Sequence, residues 1–144
     1  FRTAASAGAL YPLEAYLVAF NVRNLSAGIY QYRPREHELV RVAQGDFRKG
    51  LARAALDQEP LESASAVIVF SGVYSRTTKK YHSRGERYVH FEVGHAAQNV
   101  YLQAAALNLG TVAIGAFNDA DVKRLLLMKA DEEPLYLMPI GRKY

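Results

Sequence analysis

A lysine beside a tyrosine, Lys80-Tyr81, lies in the stretch YSRTTKKYHSRGER from Tyr74 to Arg87. That stretch also holds Arg76, Lys79, Arg84 and Arg87 against one acid, Glu86. A neighbouring amine and phenol can give or take a proton where partial burial shifts either pKa. A solvated basic loop or helix start would have the same composition. A second stretch, Ser6-Ala7-Gly8-Ala9, consists of small residues flanked by Arg2 and by Tyr11-Pro12. Small side chains expose backbone N–H groups to a flat or anionic ligand; a plain loop ahead of a strand would look alike. A third, Ile114-Gly115-Ala116-Phe117, is a small-residue turn leaving a β-branched run, the kind of strand exit where ligands of α/β sheets often sit. Arg142 and Lys143 near the end of the chain are either a frayed tail or a clamp for a phosphate.

Other chemistries lack their residues. There is no cysteine, which removes disulfides, thiolate catalysis and cysteine-ligated metal sites. His90 and His95 are five residues apart, off a common helical face, and no HExxH occurs, so no metal site is expected. No serine sits in a nucleophile-elbow context, and the small-residue run is neither a GxGxxG nor a P-loop.

The elements that must position these residues are legible in the periodicity. Leu13 to Val22, Gly28 to Arg33 and Glu38 to Ala43 read as three strands. Their connections are too short for parallel crossovers, which predicts an antiparallel meander. Asp46 is placed to cap a helix from Phe47 to about Asp57, with Pro60 closing that region. Ser65 to Val73 is a near-continuous β-branched run, a strand covered on both faces. The longest element is a helix from Glu86 to Leu107. Val89, Val93, Ala96, Val100, Ala104 and Leu107 share one face, and Glu92, His95, Asn99 and Gln103 another. So few charges predict a buried helix, with small residues that admit a close backbone. Gly110 is the expected C′ residue, followed by a short buried strand, Thr111 to Ile114. Asn118 or Asp119 can cap a helix from Ala120 to about Leu127, in which one of the three consecutive leucines is exposed or the helix end is covered. Leu135 to Ile140 is the last strand.

The 144 residues suit one domain with a real core, and half of them are apolar. No apolar run has the length of a membrane span, no signal peptide is visible, and a cytoplasmic protein without membrane contact is expected. The net charge of +4 suits a solvated surface or attraction for an anion such as a phosphate-bearing cofactor. The basic residues form no long run, and nucleic acid is not the expected partner.

Taken in order, SAGALYPLE before a strand, Lys80-Tyr81 followed by RGERY, E-x-GH-x-x-QN on the long helix, and IGAF resemble the flavin-dependent nitroreductase superfamily. More narrowly they resemble its SagB-type branch, which includes thiazole/oxazole (azoline) oxidases. The resemblance runs from Arg2 to about Gly141. It implies an α+β fold, a mixed sheet flanked by helices, in a homodimer with the long helix at the dimer interface. It implies FMN in a cleft built by both subunits, NAD(P)H as a candidate electron donor, and a small-molecule or peptide substrate. Ser6, Ala7, Gly8 and Ala9 match the segment beside the flavin. Ile114, Gly115 and Ala116 match the turn whose backbone approaches the ring near N5, and Arg142 lies where cations reach the phosphate. Lys80-Tyr81 matches the pair implicated in removing the substrate proton. Family members usually open with helices that carry an arginine-containing phosphate motif. Residues 1–144 are therefore expected to be a single domain lacking those helices, with Arg2 a partial replacement. A flavin-poor relative that binds a peptide or another subunit is the alternative.

Overall fold

The computed structural model describes residues Arg2 to Lys143. Six strands form one sheet: β1 (Leu13–Ala19), β2 (Gly28–Arg33), β3 (Glu38–Gln44), β4 (Ala66–Gly72), β5 (Leu109–Thr111) and β6 (Glu133–Arg142). Their spatial order is β3-β2-β1-β4-β6-β5. The meander β1-β2-β3 is present as its short turns require, and GIYQYR supplies β2 from end to end. The sheet is not mixed: every pair among the described strands is antiparallel. The chain reaches β4 through helices and then lays it beside β1 running the opposite way, and β6 returns beside β4 in the same manner, so no parallel crossover arises.

Five helices cover the two faces: α1 (Arg48–Ala54), α2 (Glu59–Ser63), α3 (Ser75–Tyr81), α4 (Arg84–Ala106) and α5 (Asp119–Leu125). On one face Tyr16, Val18, Val67, Val69 and Leu137 of the sheet meet Leu51 of α1, Leu61 of α2 and Val122 of α5. On the other, Phe70 and Met138 meet Val93 and Ala97 of α4. Alternation in β1 and β4 sends neighbours to opposite faces, so β4 is apolar from Ala66 to Phe70 and buried on both. Each fully buried aliphatic side chain contributes about 1.5–3 kcal/mol.

Several boundaries differ from expectation for local reasons. Asp46 does accept from the Arg48 N–H at 2.9 Å, but Phe47 holds the cap position. Pro60 does not merely close a region; it stands in the first turn of α2, where its missing N–H costs nothing. The left-handed residue after α4 is Asn108 (φ 55°), not Gly110, which belongs to β5. The buried strand expected from Thr111 to Ile114 is instead β5 followed by an isolated bridge between Ile114 and Leu137. Asn118 caps α5 by accepting from Asp121 N–H, and Leu127 is the exposed leucine. Helix α4 is buried along one face only. Val89, Glu92, Val93, Ala97 and Ala104 turn inward, whereas Phe91, Leu102 and Leu107 are 55%, 60% and 60% exposed.

Candidate active site

Lys80 and Tyr81 close α3, which follows the end of β4 at the edge where β1 starts. The α3–α4 joint is tight. His82 takes φ 51° and ψ −141°, a conformation costly for a residue with a Cβ. Gly85 sits so close to α3 that a Cβ would lie 2.9 Å from the Thr78 N and Cα. This approach lets Tyr88 of α4 meet Tyr81 edge-to-face, with centroids 5.1 Å apart. Arg76, one turn before Lys80 on the same side of α3, donates to the Tyr11 carbonyl at 3.1 Å and pairs with Glu14 at 2.5 Å.

The small-residue segment lies against that pair. Gly8 (φ 61°), Ala9 (φ 53°) and Tyr11 (φ 47°) are left-handed, around a 3-10 turn at Ala7–Ala9. A Cβ on Gly8 would stand 2.8 Å from the Tyr81 Oη and 3.1 Å from the Lys80 Nζ. Two stretches singled out for unrelated reasons are thus one surface: Gly8 faces the phenol and the ammonium without an intervening side chain.

The other side of the segment is held by the polar face of α4. His95 donates from Nδ1 to the Ala5 carbonyl at 3.0 Å, which fixes its tautomer, and Asn99 donates to the Thr3 hydroxyl at 3.2 Å. Glu92, on the same helix, is only 4% exposed. Burial pushes the Glu92 carboxyl above its ordinary value, against the smaller opposing effects of Ser6, Arg2 and His95. The guanidinium of Arg2 lies 4.4 Å from the centre of the Tyr11 ring. Between this segment, β1 and α4 is a cavity of about 680 Å³, lined by Arg2, Tyr11, Glu14, Phe70, Glu92 and Asn99 among others.

The remaining sequence candidates lie elsewhere. Ile114 is buried, and it exchanges both backbone hydrogen bonds with Leu137 (2.9 and 3.0 Å), so it anchors the turn rather than facing outward. Gly115 and Ala116 are exposed beyond it, with the Ala116 carbonyl held by Gln58 at 2.8 Å. Arg142, near the end of β6, lines a cleft of about 940 Å³ with Arg23, Lys143 and the Gly110–Val112 backbone. Strand register places these groups apart. Leu13, Gly72 and Glu133 share one end of the sheet, and Ala19, Ala66 and Ile140 the other. The Gly8–Tyr81 surface adjoins the first end and Arg142 the second, about 20 Å away at roughly 3.3 Å per residue.

Residues 1–142 match the Nitroreductase family, and the chain belongs to it. It is similar to MJ1384 of Methanocaldococcus jannaschii, described as a candidate nitroreductase, at 48% identity over 99% of this chain and 71% of that protein. It is also similar to the microcin B17-processing protein McbC of Escherichia coli, at 30% identity over 84% of this chain and 46% of McbC. Among solved structures, a candidate nitroreductase of Anabaena variabilis superposes with TM-score 0.91 at 32% identity, over 99% of this chain and 29% of that one. The Escherichia coli microcin synthetase McbBCD complex with truncated pro-MccB17 bound contains a chain matching with TM-score 0.88 at 28% identity, over 100% of this chain and 56% of that one. The chain thus spans about half or less of the length of several relatives it matches. Among the described residues no helix is long and apolar enough to cross a membrane.

Sequence spacing groups Glu92, His95 and Asn99 but not what they hold, and it passes over Arg76 and Glu14 as surface charges. The E-x-GH-x-x-QN pattern is the available signal for the first three. Nothing local marks the other two.

Proposed function

We propose that the chain is an FMN-dependent oxidoreductase of the SagB type, a single nitroreductase-like domain working as a homodimer. The observation that carries this reading is the seating of Gly8 on Lys80 and Tyr81, which joins a surface for a flat ligand to a proton-handling pair. The residues fit the cofactor in kind: a run of small residues whose Gly8 abuts Lys80 and Tyr81, an exposed Gly115–Ala116 turn, and the cations Arg142 and Lys143 at one cleft. The distance of about 20 Å between the Gly8–Tyr81 surface and Arg142 supports a site completed by a second copy. One copy contributes Arg2, Ser6, Ala7, Gly8, Ala9, Lys80 and Tyr81, and the other contributes Ile114, Gly115, Ala116 and Arg142. The exposed apolar side of α4, with Phe91 and Leu102, suits the surface between them.

FMN, when bound, supplies the acceptor or donor of a hydride. Lys80 and Tyr81 then take the proton from the carbon next to the one that loses hydride, as azoline dehydrogenation requires. Likeness to McbC and to a synthetase chain crystallised with a pro-microcin favours a peptide-borne azoline as substrate. With NAD(P)H as donor and a small electrophile as substrate, the same pair would instead deliver a proton. Substitution separates these directions: Lys80→Ala is expected to abolish turnover of an azoline peptide while NAD(P)H bleaches the bound flavin no faster than in the parent. Unchanged azoline turnover in Lys80→Ala would remove the pair from the chemistry. A second reading, a flavin-poor partner for a peptide or subunit, draws on Arg2, whose charge rests on Tyr11 and near Glu92 rather than standing free.

A further inference from the structure

Helix α1 ends at Ala54, and two left-handed residues follow, Leu56 (φ 60°) and Asp57 (φ 52°). Both carry a Cβ, so this backbone is costly. Neither is repaid by packing, because both side chains are exposed. Strain of this kind persists only where the surroundings over-determine it. What this turn delivers is Gln58. Its Nε2 donates to the Ala55 carbonyl at 2.8 Å and to the Ala116 carbonyl at 2.8 Å. That nitrogen has two protons, and both go to carbonyls, so the amide can sit only one way round. The first bond serves a carbonyl at the end of α1 that has no partner within the helix. The second reaches the turn Gly115-Ala116-Phe117, whose two ends are fixed independently. Ile114 is bonded to Leu137 in both directions, and the Asn118 N–H gives to the Ala54 carbonyl at 2.8 Å. Between these anchors the N–H groups of Gly115, Ala116 and Phe117 make no hydrogen bond among the described residues. The peptide bonds are trans, so the Phe117 N–H points opposite to the Ala116 carbonyl in one plane. Drawing that carbonyl toward α1 turns the Phe117 N–H away from α1.

We propose that Gln58 is a positioning residue: its carboxamide ties the Ala116 carbonyl to the end of α1 and so sets the direction of the peptide groups that the Gly115–Phe117 turn offers to a ligand. Its bearing on the flavin rests on the proposed assignment of that turn to the ring. The tie between α1 and the turn does not.

The test compares the full chain with Gln58→Met and Gln58→Glu, by amide NMR without flavin and by FMN titration followed through visible absorbance. Methionine has similar length and no donor. Glutamate has the same shape, but its carboxylate meets the Ala116 carbonyl with lone pairs only, and it regains one proton to give when protonated. In Gln58→Met the backbone order parameters of Gly115 to Phe117 should fall from about 0.85 to below about 0.6, and their shifts should move. The β4 amides should keep their exchange protection. In Gln58→Glu the same shifts should return toward the parental values as pH falls through about 4, which general loosening would not produce. FMN should bind Gln58→Met about five- to tenfold more weakly, the cost of a turn no longer held ready. Turn order parameters and shifts matching the parent in Gln58→Met would overturn the proposal. Loosening of α1, the turn and β4 together would overturn it too, reducing Gln58 to general stability. A loosened turn with unchanged FMN affinity would overturn its bearing on the ligand. Should Gln58→Met fail to fold, the pH titration of Gln58→Glu decides, and shifts that do not return at low pH overturn the tie. A parent chain that takes up no flavin would contradict the flavin assignment instead, and the NMR comparison would still decide the tie.

Discussion

Replacing Gly8 with alanine probes the contact on which the site depends. Gly8 is at φ 61°, so any L residue there bears left-handed strain of about 1–2 kcal/mol. The new methyl would also lie 2.8 Å from the Tyr81 Oη, and the phenol must swing away. That movement weakens the edge-to-face contact with Tyr88, worth about 0.5–1.5 kcal/mol. Lower entropy of the unfolded chain returns roughly 0.4–1 kcal/mol. The net expectation is a loss of about 1.5 kcal/mol, or a fall in Tm of about 5 °C for a chain of this size. Urea unfolding at fixed protein concentration measures it. A double-mutant cycle with Tyr81→Phe isolates the cause, because removing the hydroxyl makes room for the methyl. Gly8→Ala should cost less in the Tyr81→Phe background, by about 0.5–1 kcal/mol. Additivity within about 0.3 kcal/mol would refute the reasoning, since the loop would then not press on the Tyr81 hydroxyl.

Gly85→Ala should destabilise by about 1–3 kcal/mol, because its Cβ meets Thr78 backbone that cannot swing aside; thermal melts check this. Gly94→Ala, where a Cβ meets nothing within 4 Å in the single chain, should stabilise the isolated chain by up to about 1 kcal/mol. If copies pair through α4, the same change should weaken self-association in sedimentation experiments. Tyr16 donates to the buried Glu132 carboxylate at 2.7 Å, and burial first, then that hydrogen bond and charge, push its pKa well above the ordinary 10.0. The folded chain therefore keeps the Tyr16 proton after the unfolded chain has lost its own. This contribution is complete below pH 10 and disappears as pH rises through the folded value. Tyr16→Phe should lose about 1–3 kcal/mol at neutral pH and show a shallower alkaline decline in urea titrations.

Local pattern carries much of the fold. Alternation in GIYQYR, the β-branched run before Gly72 and the Asn118 cap each act over a few residues, so the chain itself displays them. The start of α2 is ambiguous in the sequence because Pro60 serves as well in a first turn as after a last one. Asn108 displaces Gly110 because the helix stops two residues earlier than glycine alone suggests, and Asn tolerates the left-handed region. The exposed side of α4 is unreadable because an apolar, weakly charged helix has the same composition whether its own fold or a second copy covers it. The pieces of the candidate site are each visible, but their grouping is not. Gly8 meets Tyr81 only after the sheet has brought β1 beside β4, and Arg142 is set apart by strand register. Glu132 gives no signal at all, since an acid in a turn is ordinarily solvated, and here two hydroxyls from the sheet hold it inside.

The central claim is that this chain binds FMN in a site completed by a second copy. Its most direct test is titration of the purified chain with FMN, followed by visible absorbance, with sedimentation of the same samples. The account predicts a bound-flavin spectrum saturating near one FMN per chain on a dimer, and loss of that spectrum in Arg142→Ala without loss of folding. A folded chain whose flavin spectrum never departs from that of free FMN, or a monomer that binds FMN fully, would contradict it.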